Sequence, residues 1–122
     1  MVSFNLYFKN EVEVKYEYYP NGNKEYKPGV ILIDIAKMKI KEIIPSEQDF
    51  YVKHTVEELN KLRNDANQMR IESGRPEITE EEWPSAKEDI EYFKYAQHVI
   101  DKIDEMYEAN GAFPSEGIVA WY

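Results

Sequence analysis

The 122-residue chain contains no cysteine, which excludes disulfides, thiolate nucleophiles and Cys-ligated zinc. Histidine is scarce: His54 and His98 are the only two, so acid–base chemistry has few candidates. Glycine is limited to five residues, and none sits in a phosphate-cradling loop, a GxSxG elbow or a P-loop. The longest unbroken aliphatic run, VILI at 30–33, falls far short of the roughly 20 apolar residues that a membrane helix needs. The opening MVSFNLYF has no basic stretch and alternates apolar with other residues, the pattern of a strand and not of a secretion leader. A single cytoplasmic domain spanning 1–122, without a membrane partner, is the expectation.

Positive charge is also short. Fifteen Lys and Arg face twenty-four Asp and Glu, for a net charge of −9. Residues 1–54 hold eight Lys and eight acids, so the whole excess lies in residues 55–122, with seven basic and sixteen acidic residues. A field of that sign repels nucleic-acid phosphates and anionic membrane surfaces and attracts basic proteins. It also keeps a helical surface soluble, which is the plainer reading.

The first half is rich in β-prone residues spaced at a period of two. Val2, Phe4, Leu6 and Phe8 alternate with Ser3, Asn5 and Tyr7, and Val12, Val14, Tyr16 and Tyr18 alternate with charged residues. This predicts antiparallel strands with one face buried. PNGN at 20–23 and Pro28-Gly29 are turn signals. The run from Val30 to Ile35 reads as an interior strand. Its phase then slips, because Ile31, Ile33 and Ile35 share one parity while Met38 and Ile40 take the other. A tight turn or bulge near Ala36-Lys37 must absorb the slip, with a returning strand over about 39–44 that stops at Pro45.

Near His54 the period changes to 3.6. TVEE at 55–58 is a capping box, followed by Leu59, Leu62, Ala66 and Met69 on one helix face and by a stop at Ser73-Gly74. Thr79 with Glu82, and Ser85 with Glu88, repeat the capping pattern, predicting one isolated turn and then a main helix over about 85–110 that ends at Gly111. Its stripe is Phe93, Ala96, Ile100, Ile103 and Tyr107. IVAWY at 118–122 reads as a final strand. The expected architecture is two-layer α+β: a mainly antiparallel sheet over residues 2–44 plus a short C-terminal strand. Two helices, about 55–73 and 85–110, cover one face of it.

Candidate functional residues fall into two sets. Capping explains Glu82 and Glu88 but leaves Glu80 and Glu81 without structural work, beside an aromatic Trp83. Tyr16, Tyr18, Tyr19 and Tyr26 cluster around the Asn-Gly turn, and tyrosine is both a good strand residue and an interface residue. These seven are the candidate interaction residues. A catalytic reading would need Asp34, Glu47, Asp49 or His54 to converge, and no spacing in the sequence brings them together. SEQD at 46–49 lacks EF-hand spacing, and His98 is flanked four residues away by Lys94 and Lys102, which oppose a bound dication. No metal, cofactor or nucleic acid is expected, since aromatic platforms for bases also require a basic groove. The expectation is a small acidic interaction or regulatory module, inhibitor- or immunity-like, acting on a basic protein partner. The alternatives are a self-associating structural protein, joined through its terminal strand or a sheet edge, and a small enzyme.

Overall fold

A computed structural model describes residues 1–121. Tyr122, the last residue of the predicted terminal run, lies outside the described residues. Two compact units make up the chain. One comprises Met1–Tyr51 together with the residues from Tyr92 onward, and the other is Val52–Glu91. Among the described residues no helix is long and apolar enough to cross a membrane.

The first unit is built on β1 (Val2–Lys9), β2 (Glu13–Pro20), β3 (Gly29–Asp34) and β4 (Lys39–Ile44). The sheet order is β4-β3-β2-β1 with a fifth strand, β7 (Glu116–Val119), beside β1, and every pairing is antiparallel. The expected α+β class is therefore the observed one, and the terminal strand takes the sheet edge, but over Glu116–Val119, two residues earlier than expected and without Ala120 and Trp121. Helix α2 (Lys94–Asn110) lies against β1, β2 and β7. Val2, Phe4, Val14, Tyr16, Tyr18, Ile31 and Ile33 from the strands meet Tyr95, Ala96, Val99 and Ile103 from the helix, and all are buried. Each strand contributes alternate residues, as a half-wet sheet requires.

The turns follow their chemistry. Asn21 and Gly22 both take positive φ, at 57° and 69°, and Asn23 N–H donates to the Pro20 carbonyl at 3.2 Å. That is the turn type for which Asn-Gly is favoured. The predicted phase slip is real and uses two devices. Residues 35–38 turn the chain, with Met38 at φ 50°, and a bulge between Ile40 and Glu42 returns Ile40 and Ile43 to the core side opposite Ile33 and Ile31. A second bulge, absent from the sequence reading, places Tyr7 and Phe8 together opposite Lys15, so the alternation from Val2 breaks after Leu6.

The main helix corrects the sequence reading at its start. It begins at Lys94 and not at Ser85, because Ile90–Phe93 forms a strand, β6, that pairs with β5 (Tyr51–His54) as a two-stranded ribbon. The Ser85 capping signal is spent elsewhere: its N–H and hydroxyl both donate to Glu80 Oε2. Gly111, at φ 71°, ends the helix as expected, with its N–H on the Tyr107 carbonyl.

The second unit contains α1 (Val56–Glu72), opened by the predicted capping box of Thr55 and Glu58. The 76–89 segment is tied to this helix by polar side chains. Asn60 exchanges hydrogen bonds with both backbone groups of Ala86, Asn67 Oδ1 accepts from Ile78 N–H at 2.6 Å, and Arg63 donates to the carbonyls of Trp83 and Ile78. Asp89 Oδ1 accepts from Val56 N–H at the helix start. Thr79 caps the isolated turn as predicted, accepting from Glu82 N–H. Leu62 and Met69, on the predicted apolar face of this helix, are 56% and 68% exposed.

Candidate interaction surface

Two of the three acidic residues that would serve catalysis, Asp49 and Asp34, are occupied with holding the fold. Asp49 comes from the loop after β4, and its carboxylate takes four donors. Oδ1 accepts from Phe50 and Tyr95 N–H, both at 2.8 Å, while Oδ2 accepts from Ala96 N–H at 3.1 Å and from the Tyr18 hydroxyl at 2.7 Å. Tyr95 and Ala96 are in the first turn of α2, whose own N-cap, Phe93, has no side-chain acceptor. Asp49 is thus a cap brought from a distant part of the chain, placed where negative charge meets orphan N–H groups. Asp34 Oδ1 accepts from Lys37 N–H in the β3–β4 turn. Glu47 is exposed. His54 Nδ1 lies 3.8 Å from Glu58 Oε2 on the capping box. Among the described residues no group of three or more His, Asp or Glu side chains is gathered as a metal ion would need.

Of the predicted interaction residues, Tyr16 and Tyr18 are fully buried and offer no surface to a partner. Tyr16 donates to the Pro114 carbonyl, and Tyr18 joins Ser46 N–H to the Asp49 carboxylate. Burial pushes both phenols well above the usual tyrosine range, and for Tyr18 the Asp49 hydrogen bond adds to it. Their parity with Val14 was the sequence signal that they belong to the core. Tyr19 is half-buried and donates to Glu17, a bond that raises its pKa ahead of burial. Tyr26 is exposed.

In the second unit Glu80 has structural work after all. It accepts from both Ser85 donors and stands 3.3 Å from Arg63 Nη2. The Ser85 bonds, backbone first, hold its carboxyl below the usual range, with Arg63 and Lys87 assisting. Glu81 and Trp83 are exposed.

The surface that the sequence did not single out is the face of the five-stranded sheet opposite α2. Side chains directly opposite one another across an antiparallel pair share a face. Lys15 therefore stands with Leu32 and Glu42 in one row and Glu17 with Val30 and Ile44 in the next. The β1 bulge adds Tyr7 and Phe8 to the first row, and Lys15 Nζ rests 5.2 Å from the Phe8 ring centre. Tyr7, Lys15, Val30, Leu32, Glu42 and Ile44 line a shallow hollow of about 140 Å³. Tyr7, Phe8 and Ile44 are each more than two-fifths exposed, so the strip is apolar and open to solvent. A bulge that turns Phe8 out of the core parity and keeps Tyr7 on the open face leaves no trace in a single sequence, because the residues continue to alternate.

No family model matches the chain, and no similar curated protein or solved structure was found.

Proposed function

We propose that this chain is a non-catalytic protein-binding module, and that its binding face is the open side of the sheet. The observation that carries this reading is the Tyr7–Phe8 bulge, which leaves Tyr7 lining the hollow with Val30, Leu32 and Ile44 and turns the Phe8 ring out beside Lys15. Exposed contiguous apolar strips rimmed by polar residues mark binding sites far more often than chance placement does. Aromatic side chains supply much of the anchoring energy at protein interfaces. Glu17 and Glu42 on the same face, in a chain of net charge −9, favour a partner whose apolar patch is edged by Lys or Arg. Regulation or inhibition of that partner by steric cover is the action such a module performs. The engagement of Asp49 and Asp34 in capping and turn bonds also favours binding over catalysis.

The test compares affinity capture by the immobilised wild-type chain with capture by Tyr7→Asp and Ile44→Asp. Both variants place charge on exposed positions and leave the core intact. A protein retained by the wild type, lost from both variants and released by salt supports the reading. Equal retention on all three would show that the sheet face is not the site.

A further inference from the structure

We propose that the Val52–Glu91 unit is completed by a second copy of this chain, through parallel pairing of the two α1 helices along Leu59, Leu62, Ala66 and Met69. This contact is separate from the open sheet face and does not depend on it.

The unit lacks what normally holds a small fold together. No residue of Val52–Glu91 is buried. It has roughly 40 residues, a size at which folds usually need disulfides, metals or oligomerisation, and the chain has no cysteine. One face of α1, carrying Asn60, Arg63 and Asn67, is used by the 76–89 segment. The apolar stripe lies about 110° around the helix from that face at 100° per residue, and two of its members, Leu62 and Met69, face solvent.

The spacing of the stripe, +3, +4, +3, is that of a coiled-coil seam with Leu59 and Ala66 at a and Leu62 and Met69 at d. That register fixes the flanks. Glu58, Asp65 and Glu72 fall at g, and Arg63 and Arg70 fall at e. In a parallel pair each g residue faces the e residue five positions further along the other helix. Asp65 of one copy then faces Arg70 of the other, twice about the symmetry axis. An antiparallel pair would set the acidic rows against each other and the arginines against each other, so the charges select the parallel form. Arg63 contributes little to that selection, because its side chain, 13% exposed, is already held by Trp83, Ile78 and Glu80.

The full chain is followed by sedimentation equilibrium across a wide concentration range. A dimer is expected, and Leu62→Asp should raise its dissociation constant about 100-fold or more, since one substitution alters both copies. Asp65→Arg and Arg70→Asp should each weaken it by about 10-fold, and an equimolar mixture of the two should recover most of the affinity. Met69→Cys under oxidation should form a cross-linked dimer, because d residues meet their own counterparts only in the parallel form. A chain that stays monomeric overturns the proposal. So does a dimer indifferent to Leu62→Asp, and so does one that fails to cross-link through position 69. Near-ultraviolet circular dichroism, to which Trp83 of the second unit and the tyrosines of the first contribute, confirms that each variant retains its fold.

Discussion

The two units of this chain are stabilised by different means. Among the described residues, the eleven side chains of the hydrophobic core all belong to the first, where alternate strand residues and the α2 stripe exclude water from a shared interior. The second has none, and its segments are joined by side-chain amides, carboxylates and a guanidinium bonded to backbone. A net hydrogen bond is worth about 1 kcal/mol, whereas a fully buried Leu or Ile contributes about 1.5–3 kcal/mol. Packing therefore makes the first unit the stable part of the molecule, and polar bonds give the second its shape without much stability. A unit so built is suited to being completed by another surface, and its exposed Leu62 and Met69 are the groups left for that contact.

The largest test of this contrast is the same kind of truncation in each unit. Ile31→Ala should cost about 2–5 kcal/mol in denaturant unfolding, because Ile31 is fully buried between strand neighbours. Leu62→Ala, measured below the dimer's dissociation constant, should cost about 0.5 kcal/mol or less. Equal costs would erase the distinction. Next in size is the cap that joins a loop to α2. Asp49→Ala leaves Tyr95 and Ala96 N–H and the Tyr18 hydroxyl without their acceptor and should destabilise the first unit by about 2–3 kcal/mol. Asp49→Asn, which keeps one acceptor, should cost less. Gly29→Ala should cost about 1–3 kcal/mol, since a Cβ there would enter the space of the Tyr18 ring. Thermal melts of the three variants provide the check.

The smallest effect concerns the second unit and acidity. The Glu80 carboxyl is held below its usual range by Ser85, so its contact contributes above the unfolded carboxylate range and is lost as pH falls through the folded value. The Ser85 amide resonance should follow that titration in the wild type and become indifferent to pH in Glu80→Gln. A Ser85 amide with the same pH response in both proteins would remove Glu80 from the turn.

Much of this was legible from residue order because local chemistry and tertiary packing agreed. Asn21-Gly22, the phase slip before Met38, the Thr55 capping box and the Gly111 stop each specify geometry within a few residues. The failures share a different cause. Ile90–Phe93 resembles a helical approach to Phe93 until a distant strand pairs with it, and Asp49 becomes the α2 cap only once β4 and the helix are assembled. Tyr16 and Tyr18 read as interface residues by composition but as core by parity, and parity was the better guide. The open strip was hidden because a bulge at Tyr7 changes which face a residue occupies without changing the pattern of types.

Native-state hydrogen exchange of the dilute wild-type chain tests the contrast most directly. The β2 amides of Val14, Tyr16 and Tyr18 should exchange only through global unfolding. The α1 amides of Leu62 and Ala66 should exchange through a smaller opening, with protection that rises as protein concentration rises. Protection of α1 equal to that of β2 at the lowest concentration would contradict a second unit without a core of its own.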